Sequence, residues 1–540
     1  MKQIRDFLSS RSWIIPLLLG LAFVALTARG IDWGIRGGWN PDEIIQKVIK
    51  ALHGEYLFDE DDFTYPSLPK YAMFAVGRVV LGLGYGDPEV TWWARLISAA
   101  LGAGIVALTY VLARRIGLSN VFASLAALFV FTSSLLAQNA HFAHNDIYIT
   151  FFTLLAVWAS LRYAQTAQRG WFYLACFTVG LAASSKYNGI SLLLLPLVLF
   201  FLVGDIRKSK HEWLRVVETL GLGLVLTFLG YAAGTPKALT WMTFYFKRMV
   251  PDFLAHAAYG YQPDSVRGLI GQWGTLTSAL GVPFAILGAL AFGYAVVEAG
   301  RQIKDETASA AAPKLVIPMA ILAIDLPIML SYNYQARFFL PMVPLLAVLA
   351  AQLAQTVFHW LEKRARPAGS WAFTLAVAGL LIFSFLRVIG VMLLFENDAR
   401  IAAGEFIAQL PDGRSLEHTF YPPYMNQTAF ARQHNYPLYF IKYPGETVPT
   451  GGRLQYNQGE AGLDERGTDY FVVDSFTFNR FKDPFVCEAI PIECEFFTNL
   501  LDGNTNYVLI GEFHYRLPPW IPPISGSFLN PDILIFERAT

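Results

Sequence analysis

Long runs almost free of Asp, Glu, Lys and Arg recur through the first three quarters of this 540-residue chain, and they limit its fold more than any other feature. A hydrocarbon layer about 30 Å thick needs roughly 20 mostly apolar residues per helix, and backbone polar groups inside it must find partners within the protein. Runs of this kind cover 13–28, 96–113, 121–137, 147–161, 170–184, 190–204, 219–233, 273–297, 315–332, 338–358 and 371–395. They predict an α-helical polytopic membrane protein with about 11 transmembrane helices. The ten runs that follow make the first a retained span rather than a cleaved signal peptide. Only 15% of residues are charged, against roughly 25% in a soluble domain, so an ordinary soluble enzyme is excluded. The 41 basic and 41 acidic residues balance, which leaves no global field for nucleic acid.

Basic residues orient the spans, because cytoplasmic loops hold Lys and Arg. Lys2, Arg5 and Arg11 put the N-terminus inside, and every second loop repeats the bias: Arg114 and Arg115; Arg162 and Arg169; Arg207, Lys208, Lys210 and Arg215; Arg301, Lys304 and Lys314; Lys363, Arg364 and Arg366. An odd number of spans then leaves the remainder outside. The chain divides into a membrane domain, 1–395, with a large first outer loop, 30–91, and an extracytoplasmic α/β domain, 396–540. In the latter, period-two patterns predict strands at 470–473, 507–510 and 533–536, and one apolar face predicts a helix at 399–409. Cys487 and Cys494 lie on the oxidising side and are expected to pair. Cys176, inside a span, is expected to remain a free packing residue. In the first outer loop, 71–83 is apolar but short and contains Arg78, which suits an interfacial or re-entrant helix.

Chemistry-bearing residues gather on the predicted outer face. Gly37-Gly38-Trp39-Asn40-Pro41-Asp42-Glu43 is a turn leading into a helical segment, so Asp42 and Glu43 read either as helix caps or as reactive carboxylates. The run Asp59-Glu60-Asp61-Asp62 reads as a solvated acidic face. In His141-Phe142-Ala143-His144-Asn145-Asp146 the two histidines lack a third ligand at helical spacing, so a hydrogen-bonded corner is expected rather than zinc. Asp146, at the lip of an apolar span, must face a polar cavity or a partner. Lys70, Lys186 and Arg337 stand at comparable outer positions, either reaching toward headgroups or binding an anion. Tyr65 and Tyr334 are further candidates beside them. Carboxylates and cations at one membrane surface suit a reaction in which a base deprotonates an acceptor while a phosphate leaves. No Walker loop is present, so a phosphate donor used outside has to be lipid-linked. Asp325 and Arg387, deep in two spans, offer the alternative of a transporter or flippase, or else a structural ion pair.

The order of these segments resembles the GT-C membrane glycosyltransferases, in particular the protein O-mannosyltransferase and aminoarabinose-transferase superfamily. The likeness rests on Asp42-Glu43 after the first span, Pro66-Ser67-Leu68-Pro69-Lys70, Asp146, the Gly180 to Lys186 segment and Arg337-Phe338-Phe339-Leu340-Pro341. It departs from the family at Ser67, where a second proline is usual, and at Asn40, where relatives often carry His. The resemblance implies a polyprenyl-phosphate sugar donor and inverting transfer to an extracytoplasmic protein, lipid or glycan acceptor, in the plasma or inner membrane. It assigns catalysis to Asp42, Glu43 and Asp146, and the lipid phosphate to Lys70, Lys186 and Arg337, with Tyr65, His141, His144 and Tyr334 nearby. No cofactor is implied; a divalent cation is compatible with this chemistry but not required.

Overall fold

The structure is a computed structural model that describes residues 13–539 apart from 62, 204–209, 258–267, 306, 332–333, 365–366, 426–429, 442–444, 449–455, 525 and 527. Lys2, Arg5, Arg11, Asp62, Arg207, Lys208 and Arg366 therefore lie outside the described residues. Each apolar run coincides with helix: Ile14–Thr27, Asp87–Arg115, Asn120–Phe131 with Ser134–Ala140, Asn145–Thr166, Arg169–Ser185, Tyr187–Leu193 with Leu194–Val203, Lys210–Gly234, Gly268–Leu280 with Val282–Asp305, Ala308–Leu330, Ala336–Met342 with Val343–Arg364, and Pro367–Glu396. Among the described residues seven helices are long and apolar enough to cross a membrane, or eight if Asn120–Phe131 and Ser134–Ala140, bent by 59°, form one span. Length alone thus supports fewer crossings than the eleven runs suggest.

Close backbone approach holds the bundle where side chains are smallest. A Cβ on Gly180 would stand 2.1 Å from the Thr227 carbonyl oxygen, and one on Gly230 at the same distance from that of Phe177. Arg169–Ser185 and Lys210–Gly234 therefore pack nearly backbone to backbone, as small residues permit between membrane helices. The run 273–297 is two helices rather than one. It breaks at Gly281, where φ is 80° and a Cβ would meet Arg387 Nη1 at 2.5 Å.

Two sequence expectations are corrected in the fold. Asp325 and Arg387 do not pair. Asp325 Oδ2 accepts from Gln272 Nε2 at 3.0 Å, while Arg387 donates to the carbonyls of Ser278 at 2.6 Å and Pro523 at 3.0 Å. The acidic run is a solvated face only in part: Asp61 is exposed, but Asp59 and Glu60 are engaged. Asp59 is buried and accepts from Ser67 Oγ, Glu60 pairs with Lys237, and Asp61 Oδ2 accepts from the Leu57 amide at 2.6 Å. Burial pushes the Asp59 carboxyl above the ordinary aspartate range. Asp59 and Glu60 brace the loop after the first helix against the helix Lys237–Thr240.

Beyond Glu396 the chain forms the helix Ala399–Ile407 and a five-stranded sheet. The strands are β1 (Ser415–His418), β2 (Arg432–Asn435), β3 (Tyr470–Asp474), β4 (Tyr507–Phe513) and β5 (Ile533–Arg538), in the order β2-β1-β3-β5-β4. β1 pairs parallel with β2 and β3, whereas β5 pairs antiparallel with β3 and β4. Every residue of β3 is buried, as a central strand covered on both faces requires. Helix Pro491–Leu501 covers one face through Phe496, Phe497 and Leu500. Helix Ala399–Ile407 covers the other with Ala403 and Ile407.

An apolar cluster joins this domain to the bundle. It contains Trp33 and Trp39 of the first outer loop, Phe142, the helix end at Val391 and Phe395, and Leu529. Cys487 and Cys494 are disulfide-bonded with Cα atoms 5.2 Å apart, and Cys176 is free and buried. Peptide mapping without reductant should return residues 487 and 494 on one linked species, lighter by two hydrogens than the reduced pair. Reduction should destabilise the domain by about 2.5 kcal/mol on the loop-entropy argument. Two free thiols in the untreated protein would contradict this structure.

Candidate active site

The loop that carries Asp42 is fixed by a buried ion pair. Arg95, from the helix Asp87–Arg115, donates through Nε and Nη2 to the two Glu43 oxygens at 2.9 and 2.8 Å. Its Nη1 donates to the carbonyls of Ile31 and Trp33 at 2.9 and 2.6 Å. Glu43 Oε1 also accepts from the Ala143 amide at 2.7 Å, which holds the corner 141–146 beside the loop. The side chains of Arg95 and Glu43 are 2% and 4% exposed, so Glu43 is spent on this pairing. Asp42 is the more open carboxylate, at 34% exposure. Its amide donates to Asn40 Oδ1 at 3.0 Å, a local turn that orients the residue.

Asp146 occupies the first turn of Asn145–Thr166 and is buried among cations. Lys186 Nζ lies 2.6 Å from Oδ1, while His144 Nδ1 and Arg337 Nε lie 2.8 and 3.8 Å from Oδ2. Arg337 Nη2 reaches Asp42 Oδ2 at 2.8 Å. Arg337 therefore bridges the two carboxylates, and Asp42, Arg337, Asp146 and Lys186 form one continuous charge chain. Two local breaks aim the cations. Lys186 ends the helix Arg169–Ser185 in an extended conformation, and Arg337 opens the tight turn Ala336–Met342. Lys186 Nζ also sits over the Phe338 ring, 4.2 Å from its centroid. Burial pushes the His144 imidazole below its ordinary range, although the Asp146 carboxylate opposes that shift.

Asp42 and Arg337 open into a cavity of about 440 Å³, lined also by Gly274, Thr275, Ser278, Tyr334, Gln335, Ala336 and Phe528. Tyr334 is on this wall, and its hydroxyl accepts from the Gly268 amide at 3.1 Å. Tyr65 stands behind the charge chain, its ring centroid 5.4 Å from that of His144. Lys70 is wholly buried and donates to the Tyr65 carbonyl at 2.9 Å; it supports Tyr65 rather than lining the cavity. His141 is stacked on Phe395 at 4.2 Å. Its ring nitrogens face the Ala137 and Arg29 carbonyls at 2.7 and 2.9 Å, so it ties the corner to the end of the first helix. Among the described residues no group of three or more His, Cys, Asp or Glu is placed to hold a metal ion. The two carboxylates of the charge chain already face cations.

Arg95, Asp398, Arg400 and Phe528 escaped the sequence reading. Arg95 precedes the run 96–113 by one residue, and a search for charge-free runs stops short of it. An Arg beside a Trp pair at an outer span end was the available signal. Arg400 reaches the loop of Asp42 across 361 residues of chain, Phe528 lines the cavity from beyond the last bundle helix, and no local pattern announces either contact. Replacing Glu43 by Ala should leave the Arg95 guanidinium buried without its counter-charge, at a cost of about 3–5 kcal/mol. Thermal unfolding in detergent measures this, and an unchanged Tm would show that the pair does not hold the loop.

With this geometry described, comparisons with known proteins identify the architecture. The sequence model of the dolichyl-phosphate-mannose-protein mannosyltransferase family matches residues 81–233, a segment that includes Arg95, His144, Asp146 and Lys186. No curated protein matches the chain. The structure is similar to ArnT from Cupriavidus metallidurans bound to undecaprenyl phosphate, at 14% identity and a TM-score of 0.50, over 97% of this chain and 98% of that one. It is also similar to the Archaeoglobus fulgidus oligosaccharyltransferase tethered with an acceptor peptide, at 12% identity and a TM-score of 0.51, over 96% and 75% of the two chains. The chain therefore has the GT-C membrane fold, with a segment matching the dolichyl-phosphate-mannose-protein mannosyltransferase family at the centre of its charge chain.

Proposed function

We propose that this protein is an integral-membrane glycosyltransferase that moves a sugar from a polyprenyl-phosphate donor to an extracytoplasmic acceptor with inversion. One observation carries the reading: Arg337 bridges a half-open carboxylate, Asp42, and a buried one, Asp146, at the wall of a cavity. The acceptor heteroatom attacks the anomeric carbon, the bond from that carbon to the phosphate oxygen breaks, and the phosphate leaves with the electron pair. Lys186 and Arg337 stabilise that developing charge, Arg337 through a planar fork suited to phosphate. When Arg337 turns toward the phosphate, Asp42 loses its partner and takes the acceptor's proton. Asp146 keeps both cations in place, and Glu43 holds the loop through Arg95. Attack from the face opposite the phosphate inverts the anomeric centre. The structurally similar ArnT holds undecaprenyl phosphate and the similar oligosaccharyltransferase an acceptor peptide, which supports a lipid-phosphate donor for this chain. The steps of this reading require no cofactor and are compatible with a divalent cation without needing one. Asp325 and Arg387, on which a transport pathway would rest, are each bound to neighbours rather than to one another.

The alternation of basic loops supports eleven crossings of a cell membrane, an inner N-terminus and an outer domain starting near residue 396. Labelling of residue 480 from the cytoplasmic side would refute that orientation. The function is tested by transfer of labelled sugar from a panel of polyprenyl-phosphate sugars in detergent. Asp42→Asn should lower kcat by about 10²–10⁴-fold, the usual contribution of a general base, with donor binding kept. Arg337→Met and Lys186→Met should weaken donor binding or leaving-group departure. Near-normal turnover in Asp42→Asn removes the base assignment, and no transfer by the unaltered protein from any donor removes the reading itself.

A further inference from the structure

Among the described residues lining the cavity, Phe528 alone comes from beyond the last bundle helix. Its backbone has φ 61°, and Asn530 two residues on has φ 51°. Side-chain-bearing residues adopt this left-handed region rarely, and it persists where surrounding contacts over-determine it. Here they do. Arg400 Nη2 donates to the Phe528 carbonyl at 2.7 Å. The Asn530 amide donates to Asp398 Oδ2 at 2.8 Å, Asn530 Oδ1 accepts from the Ala399 amide at 3.0 Å, and Asn530 Nδ2 donates to the Tyr515 carbonyl at 2.8 Å.

The same guanidinium holds the loop of Asp42. Arg400 Nη1 donates to the Trp39 carbonyl at 3.4 Å, and its Cζ lies 4.4 and 5.1 Å from the ring centroids of Trp39 and Trp33. Asp398 neutralises Arg400 through contacts to Nε and Nη2 at 2.9 and 2.8 Å, and also accepts from Trp33 Nε1 at 3.0 Å. Both charged side chains are fully buried. One buried fork therefore sets the distance between the outer-domain wall of the cavity and the turn that presents Asp42.

We propose that Phe528 is a specificity-determining residue lying against the transferred sugar, and that Arg400 is the positioning residue that registers it against Asp42. The inference rests on the glycosyltransferase reading. A donor sugar is bonded directly to the phosphate that Arg337 engages, and its anomeric carbon must be reachable by an acceptor at Asp42. Its ring therefore occupies the cavity that Phe528 walls. The cavity is chemically mixed, with Thr275, Ser278 and Gln335 offering hydroxyl and amide groups beside the aromatic side chains of Tyr334 and Phe528, of which only the Phe528 ring carries no polar group. A pyranose has the same division, with hydroxyls around its rim and C–H groups across a face. The Phe528 ring is backed by Tyr421, with centroids 5.8 Å apart and planes 30° apart, which stiffens it as a platform.

The experiment compares binding of undecaprenyl phosphate with binding of undecaprenyl-phosphate sugars to the detergent-solubilised full chain. The unaltered protein should bind at least one sugar-bearing donor more tightly than the bare lipid phosphate; if it prefers none, the glycosyltransferase reading fails before this inference is reached. Phe528→Ala should cut that preference about tenfold, the upper worth of one aromatic contact, and leave bare-lipid binding unchanged. Phe528→Tyr should restore it. Arg400→Lys retains the charge beside Asp398 but loses the fork, and it should lower the preference as Phe528→Ala does. Should that variant not accumulate, Asn530→Ala, which frees the same turn with Arg400 in place, is read instead. A preference intact in Phe528→Ala overturns the platform, as does a change confined to the acceptor KM. A preference intact in a folded Arg400→Lys or Asn530→Ala overturns the registration.

Discussion

Asp146 is the constraint from which the site follows. A carboxylate in the first turn of an apolar helix is costly to ionise away from water unless cations and hydrogen bonds replace its hydration. The chain meets that demand with Lys186 on one oxygen and His144 and Arg337 on the other. His144 belongs to the same corner as Asp146, but Lys186 and Arg337 come from two other segments, so bringing them to one carboxylate fixes the relative position of the helix ends at one face of the bundle. The favourable dipole at a helix N-terminus adds to the same balance. What results is a compact group of charges whose outermost member, Asp42, is the one in contact with open space.

This origin explains why the charge chain was readable in the sequence. Charges that border apolar runs are conspicuous because each one is expensive, so Asp146, Lys186 and Arg337 stand out singly and gather on one face once the spans are oriented. Asp42 and Glu43 are adjacent and chemically alike, and only the structure separates them: both Glu43 oxygens are occupied by Arg95, whereas Asp42 faces Arg337 from a half-open position. Lys70 looked equivalent to Lys186 by position, yet it is buried behind Tyr65. Spacing reports which end of a span a residue occupies, not which way it faces.

The fold was legible to the same degree for the same reason. Apolar runs found the helices because burial imposes their length directly, and the segments read as period-two strands fall on β3, β4 and β5, although β3 is buried on both faces rather than alternately. The break at Gly281 depends on Arg387 approaching from a helix a hundred residues away, and the brace formed by Asp59 and Glu60 depends on Ser67 and Lys237. Neither contact leaves a local trace. Long-range packing of this kind is where a hydropathy reading ends.

The resting site is electrostatically closed, and that bears on how a donor is handled. Two carboxylates face two cations, so an incoming phosphate must take Arg337 partly from Asp42 rather than find it idle. The exchange is less costly at Asp42 than at Asp146, because Asp42 is more exposed and water can solvate it when its partner turns away. Arg337 makes its shorter contact, 2.8 Å, on the open side with Asp42 and its longer one, 3.8 Å, on the buried side with Asp146, so release at Asp42 is favoured by solvation rather than by a weaker contact. On the proposed glycosyltransferase reading, donor binding and unmasking of the base become one event: as Arg337 turns to the leaving phosphate, Asp42 is freed to accept a proton. Under that reading Asp42 stays paired with a cation until a phosphate arrives, which would couple proton removal from the acceptor to the presence of a donor.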